Sequence, residues 1–211
     1  MATGRKFRGF YFITDAMLSV NGIVEDVEQA LEAGSVIVQY REKRKVDRMI
    51  LVEEATAIKN LCKSAGVVFL INDDVYLAKE VNADGVHIGQ DDMPIEDARR
   101  ILGDNAVIGV SVRNVEQAKE ADAKGASYLA VSAVFPTTTK PDAGPSVGVE
   151  GVKKIRAVTD LPLAAIGGLN FDNIPQVISA GADMICAIST SLAGGKVKEN
   201  IQKIIAMFPS F

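Results

Sequence analysis

Apolar residues in this chain fall into short unbroken runs, separated by longer stretches with helical spacing. Val67-Val68-Phe69-Leu70-Ile71 is one such run. It is rich in β-branched and aromatic residues and apolar at every position, the pattern of a strand buried on both faces. Runs of this kind predict eight strands, at roughly 9–14, 36–40, 67–72, 85–88, 106–111, 128–132, 162–166 and 184–188. The intervening pattern predicts helices over Val24–Ala33, Asp47–Ser64, Val75–Val81, Pro94–Leu102, Val115–Lys124, Val149–Val158, Asp172–Ala180 and Lys196–Met207. Pro94 falls in a first turn, where a missing amide donor costs little. One phrase recurs at Gly34, Asn82, Gly125 and Gly181: a helix ended by Gly or Asn, a tight turn, then a buried strand. Eight βα units in 211 residues predict a single domain, 1–211, folded as a (β/α)8 TIM barrel of the α/β class. An open doubly wound sheet is the alternative, but no Gly-x-Gly-x-x-Gly follows the first strand.

Composition narrows the setting. The net charge of −4 gives no general attraction to nucleic acid or to a membrane surface. No apolar run approaches the ~20 residues of a membrane span. Arg5, Lys6 and Arg8 lead straight into a strand, unlike a signal peptide. Cys62 and Cys186 fall inside a helix and a strand, so buried free thiols and a cytoplasmic location are expected. The expected partners are small molecules, with the oligomeric state open and a homodimer among the options.

The chemistry concentrates where strands end, the rim that carries the site in parallel α/β proteins. The third strand ends Asn72-Asp73-Asp74, an acid cluster that suggests a hard-metal or acid–base position; the alternative is that Asp73 or Asp74 simply caps the next helix. The second runs directly into Gln39-Tyr40-Arg41-Glu42-Lys43. Gln39, Arg41 and Lys43 share one parity and begin inside a buried strand, where an unpaired cation is costly and calls for an anion. Arg44 and Lys45 read as solvated loop residues. The fourth strand ends His87-Ile88-Gly89-Gln90-Asp91-Asp92; either acid there, with one at the third strand, would suit Mg²⁺ shared with a substrate diphosphate. Either could instead cap the helix containing Pro94. His87, the only histidine, reads as a hydrogen-bonded interior residue, and no Ser/His/Asp or Cys/His constellation is visible. Gly167-Gly168 and Ser189-Thr190-Ser191, after the seventh and eighth strands, form the loop pair that holds phosphate in many barrels. The irregular segment 133–148 on the same rim is long enough to be functional.

Taken in order, Tyr11-Phe-Ile-Thr-Asp15, Val38-Gln-Tyr-Arg-Glu-Lys43, Ile71-Asn-Asp73, Val86-His-Ile-Gly-Gln-Asp-Asp92, Gly109-Val-Ser111, Phe135-Pro-Thr-Thr-Thr-Lys140 and Ala165-Ile-Gly-Gly168 resemble the successive motifs of the thiamine-phosphate synthases. The resemblance spans nearly the whole chain. It implies a transferase joining a hydroxymethylpyrimidine diphosphate to a thiazole phosphate, or its carboxylated form, with Mg²⁺ and release of diphosphate. Carried across by motif, Gln39, Tyr40, Arg41, Glu42, Lys43, Asn72, Ser111 and Lys140 would hold the pyrimidine diphosphate. Asp73 and Asp92 would be the metal ligands, which chooses Asp92 over Asp91 by resemblance alone. Thr137, Thr138, Thr139, Gly168, Ile188 and Ser189 would hold the thiazole phosphate. Arg41, Lys43, Lys140 and Ser111 would be the catalytic groups of a dissociative substitution, with charge on the leaving group stabilised and no protein nucleophile. Arg113-Asn114 after Ser111 departs from the histidine and threonine that members often carry, and Pro141-Asp142-Ala143-Gly144-Pro145 is an unusual continuation of the threonine loop. A thiazole tautomerase of the same superfamily and a noncatalytic phosphate sensor are the rival readings.

Overall fold

The structure is a computed structural model and describes residues 7–139 and 144–209. Strands β1 (Gly9–Ile13), β2 (Ile37–Tyr40), β3 (Val68–Asn72), β4 (Gly85–Ile88), β5 (Val107–Val112), β6 (Tyr128–Ser132), β7 (Leu163–Ile166) and β8 (Met184–Cys186) pair in parallel. They close in chain order, with β8 returning to β1, so the expected TIM barrel is the fold. Helices α1 (Ile23–Glu32), α2 (Arg48–Ala65), α3 (Val75–Glu80), α4 (Ile95–Leu102), α5 (Val115–Ala123), α6 (Gly148–Arg156), α7 (Ile174–Ser179), α8 (Ile188–Leu192) and α9 (Val197–Ile205) accompany them. The repeated phrase marks four αβ turns in which the chain leaves its helix through a left-handed residue: Gly34 (φ 95°), Asn82 (52°), Gly125 (82°) and Gly181 (102°). No helix among the described residues is long and apolar enough to cross a membrane.

Alternation along the strands sorts the apolar residues into two cores. Tyr11, Ile13, Ile37, Val68, Leu70, Tyr128, Ala130, Ala164, Met184 and Cys186 fill the barrel. Phe10, Phe12, Val38, Tyr40, Phe69, Ile71 and their counterparts face outward and pack under the helices. Gly109 belongs to this arrangement, because a Cβ there would lie 2.0 Å from the Tyr128 ring. Cys62 and Cys186 are buried free thiols, and burial pushes the first up to about 12 and the second well above its ordinary value.

The last strand departs from expectation. It stops at Cys186 rather than 188, and Ile188 begins the additional short helix α8. The Ser191 amide donates to Ala187 O (2.8 Å) and the Thr190 hydroxyl donates to Leu169 O (2.7 Å). These bonds turn the chain off the barrel axis and tie it to the loop after β7. Ile188 and Ser189 are thereby delivered to the rim beside Gly168.

Candidate active site

Two connected hollows occupy the carboxyl end of the barrel. The inner one, about 90 Å³, lies between barrel residues Tyr11, Gln39, His87 and Ser111 and the loops at Gly167–Leu169 and Ala187–Ser189. The outer one, about 910 Å³, opens onto charged residues of the β1 to β5 loops, among them Asp15, Arg41, Lys43, Asp73, Asp91, Asp92 and Arg113. Arg41, Lys43, Asp73, Gly89, Ser111, Ser132, Thr139 and Ser189 border both. A narrow, partly apolar throat therefore leads into a wide polar mouth, a shape suited to a ligand with a ring at one end and charge at the other.

The β2 end supplies cations by alternation. Gln39, Arg41 and Lys43 all reach the hollows. Arg41 is held firmly: its Nη1 lies 3.2 Å from Asp15 Oδ2, and both side chains are nearly buried. Its backbone N–H donates to Thr14 Oγ1 (2.8 Å), and the Thr14 hydroxyl donates back to Arg41 O (3.1 Å). Asp15, the last residue of the first motif, is thus what aims the guanidinium. Lys43 is held loosely: its Nζ is 3.3 Å from Asp73 Oδ2, with the two side chains 51% and 39% exposed. A pair that open contributes at most about 1 kcal/mol and exchanges readily for a ligand anion.

Tyr40 and Glu42 do not sit as the motif transfer expected. Period-two alternation turns Tyr40 to the opposite face, under α2, where its hydroxyl donates to Glu54 Oε2 (2.6 Å) and its side chain touches neither hollow. Burial, and then the Glu54 carboxylate, raise its ionisation far above the ordinary phenol value. Glu42 lines the mouth, but its carboxylate is engaged by Arg44, through the Arg44 amide (2.5 Å) and Nε (2.8 Å). Burial alone would push Glu42 up, yet those bonds outweigh it and hold it below its ordinary value. Arg44 is therefore a paired residue rather than a merely solvated one.

The acids at β3 divide their work. Asp74 caps α3 by accepting from Leu77 N (2.7 Å) and also pairs with Arg48, leaving Asp73 for the hollows. Asp73 takes φ 62°, a left-handed conformation that short polar residues tolerate best. Its amide donates to His87 O (2.8 Å), and Asn72 Nδ2 donates to its carboxylate. At β4, Pro94 occupies the cap position of α4 with no side-chain cap bond, so neither Asp91 nor Asp92 caps that helix. Both line the mouth, and Asp92 Oδ2 accepts from Gly89 N (2.7 Å).

On the opposite side the walls are backbone. Gly167 and Gly168 both adopt positive φ (102° and 63°). A Cβ on Gly168 would meet Pro136 O at 2.5 Å, so this glycine is required by contact with the threonine loop as well as by its backbone angle. Thr137 borders the throat, Thr138 the mouth and Thr139 both; Ile188 and Ser189 complete the wall. Lys140 lies outside the described residues.

Comparison with known proteins turns this geometry into a family assignment. The family model described as thiamine monophosphate synthase matches residues 10–190. The chain belongs to this family. It is 45% identical over 196 residues to a thiamine-phosphate synthase of Methanosarcina mazei, covering 93% of this chain and 81% of that one. It is 43% identical over 198 residues to the thiamine-phosphate synthase of Chloroflexus aurantiacus, covering 93% and 91%. The structure of a thiamine phosphate pyrophosphorylase from Pyrococcus furiosus superposes with a TM-score of 0.87 at 37% identity, covering 96% of each chain. A 3-hexulose-6-phosphate synthase, at 17% identity and TM-score 0.65, shares the barrel fold alone. As a member of the thiamine monophosphate synthase family, the chain is a transferase of thiamine biosynthesis.

The sequence names Gln39 and Ser111 as site residues and His87 as a hydrogen-bonded interior residue, which the bonds to His87 bear out; it misses Tyr11 and Tyr128 and the network that joins all five. Inside the barrel, Gln39 Nε2 donates to Tyr11 OH (2.6 Å), and the Tyr11 and Tyr128 hydroxyls are 2.7 Å apart. Tyr128 OH lies 2.8 Å from His87 Nδ1, and His87 Nε2 lies 2.9 Å from Ser111 Oγ. A Ser–His contact was not expected, because the two residues are 24 apart in sequence and only the pairing of β4 with β5 brings them together. The available signal was parity: Tyr11, Gln39, His87, Ser111 and Tyr128 are each polar or phenolic at an inward position.

Proposed function

We propose that this chain condenses a hydroxymethylpyrimidine diphosphate with a thiazole phosphate to give thiamine phosphate and diphosphate. The observation that carries the reading is two unlike polar walls, each suited to an anion, around the connected hollows. One is built of aimed side chains at β2–β4, the other of glycine and serine loops at β7–β8. A diphosphate beside Arg41, Lys43, Asn72 and Ser111 places its negative charge in the mouth, with its ring directed into the throat. A second phosphate at Gly168, Ile188 and Ser189, beside Thr137–Thr139, faces it from the other side. Holding both reactants in one hollow converts a bimolecular encounter into a local one.

The donor set also fits Mg²⁺. Asp73 and Asp92 offer hard oxygens on adjacent strand ends and border the same mouth. Among the described residues no group of three or more acidic, histidine or cysteine side chains is placed to enclose a metal, so the remaining ligands would be water and diphosphate oxygens. When bound, the ion supplies charge neutralisation at the departing diphosphate. Arg41, fixed by Asp15, contributes preorganised positive charge at the same place, and Lys43 follows once its loose pair with Asp73 is exchanged. The carbon–oxygen bond then breaks toward the diphosphate, and the thiazole nitrogen bonds to the pyrimidine methylene carbon.

The test is an assay with both substrates and Mg²⁺ that follows thiamine phosphate and diphosphate together. Equimolar formation of the two is expected. Thiazole rearrangement without pyrimidine consumption would support the tautomerase instead, and binding of either ligand without turnover would support the sensor. The carboxylated and decarboxylated thiazole phosphates are compared in the same assay.

A further inference from the structure

The five-residue chain from Gln39 to Ser111 has a direction, set by what each group is able to donate. With the Gln39 amide nitrogen donating to Tyr11, the one arrangement in which both phenol protons find an acceptor points the Tyr11 proton to Tyr128. Tyr128, having accepted from Tyr11, directs its own proton to His87 Nδ1. That nitrogen is then an acceptor, so the proton of the neutral imidazole is on Nε2 and is donated to Ser111 Oγ. Ser111, having accepted, directs its hydroxyl proton into the hollow that it borders.

We propose that Tyr11, Tyr128 and His87 form a relay of hydrogen-bond direction that fixes Ser111 as a donor toward the substrate, with His87 a positioning residue and not a base. The inference rests on the synthase reading for its substrate, but its geometry does not depend on it. Packing shows that the relay is built in. The Tyr128 ring fills the space that Gly109 leaves by lacking a Cβ, sits edge-on to Tyr11 at 5.8 Å and stacks on His87 at 5.7 Å. Both phenols are fully enclosed, and burial keeps them as neutral hydroxyls. Linked neutral donors in such a setting polarise one another, so reversing one link means reversing all of them. On this proposal His87 is not the general base for Ser111 that their 2.9 Å separation alone would suggest. A histidine whose Nε2 already carries a proton does not take one from serine.

The chain contains a single histidine, so [¹⁵N]histidine labelling reports one imidazole without ambiguity. The wild-type spectrum is expected to show Nε2 protonated and Nδ1 bare, and Tyr128→Phe should shift it toward a mixture of tautomers. A wild-type Nδ1–H tautomer would mean the relay runs the other way and would overturn the proposal. Ser111→Ala should lower kcat/KM roughly a hundredfold, as for loss of a preorganised donor. Tyr128→Phe should lower it roughly tenfold, because the donor is misdirected rather than deleted. Residues acting through one atom are not additive, so the double variant should match Ser111→Ala within about twofold. A further tenfold loss in the double variant would give Tyr128 an independent role and overturn the relay. Tyr11→Phe breaks the same chain one link earlier and serves if Tyr128→Phe does not fold. Failure of the wild-type enzyme to form thiamine phosphate would overturn the synthase reading, while the spectrum would still decide the relay.

Discussion

The two walls of the hollow are made of different materials. At β2–β4 the groups facing the mouth are long or charged side chains: Arg41 braced by Asp15, Lys43 against Asp73, and Asp73 in turn held by Asn72. At β7–β8 the wall is peptide, from Gly167 and Gly168 to the first turn of α8. A side-chain wall supplies whole charges that can be held in place by their neighbours, which suits a leaving group on which charge develops. A backbone wall supplies fixed dipoles at close range, which suits a phosphate that keeps its charge throughout. The contrast teaches where substitutions should act. The first wall is sensitive to chemistry at constant shape, and the second to shape at constant chemistry.

The largest expected effect tests the first wall. Asp73→Asn with Asp92→Asn should lower Mg²⁺-dependent turnover by roughly a thousandfold, since the two oxygens proposed to hold the metal are replaced by weaker ligands. The fold should survive. Asparagine tolerates the left-handed backbone of residue 73 as well as aspartate does, and its carbonyl oxygen can still accept from Gly89 N at residue 92. Mg²⁺ titration of activity, beside a thermal melt, reads both. An unaltered Mg²⁺ dependence would remove the assignment.

Next comes Arg41→Lys, which keeps the charge but loses the planar fork that would let one group face Asp15 and the proposed diphosphate together. A loss of roughly thirtyfold in kcat/KM is expected, with KM for the pyrimidine diphosphate raised and affinity for the thiazole phosphate little changed. The backbone wall should show the reverse pattern. Gly168→Ala adds a single methyl, but at φ 63° and 2.5 Å from Pro136 O, so the loop must shift. Roughly tenfold weaker thiazole phosphate binding is expected by calorimetry, from about 1–2 kcal/mol of backbone strain. Weaker pyrimidine diphosphate binding instead would show that the walls have been assigned to the wrong substrates.

Much of this was legible in the chain because barrels repeat. Eight apolar runs and four Gly or Asn turns sufficed for the fold, and rim position drew attention to Arg41, Gly168 and the Asp73-Asp74 pair, within which resemblance alone favoured Asp73. What escaped depended on strand pairing or on competition between neighbours. The contact between His87 and Ser111 joins residues 24 apart through adjacent strands, and Tyr128 reaches His87 across a gap left by Gly109. Whether Asp73 or Asp74 caps α3 depended on a left-handed residue that no local pattern announces. The early end of β8 depended on a hydroxyl bond from Thr190 to a loop on the preceding strand.

The smallest expected effect concerns Tyr40, which sits in the middle of the side-chain wall by sequence and outside it by geometry. Its neighbours Gln39 and Arg41 face the hollows, and its own ring is buried in the outer core with the hydroxyl on Glu54. Tyr40→Phe keeps the ring that packs there and deletes only the hydroxyl. Glu54 retains Arg44 as a partner, at 2.9 Å, so the carboxylate is not left bare. The loss should therefore be that of one hydrogen bond to a charged group, about 1.5–3 kcal/mol of stability, readable as a lower midpoint in urea. At temperatures where the variant remains folded, kcat and both KM values should stay within about twofold of wild type, as expected for a change that touches neither wall. A selective rise in KM for the pyrimidine diphosphate at unchanged stability would put Tyr40 back among the binding residues, and would mean that alternation along β2 breaks when substrate enters.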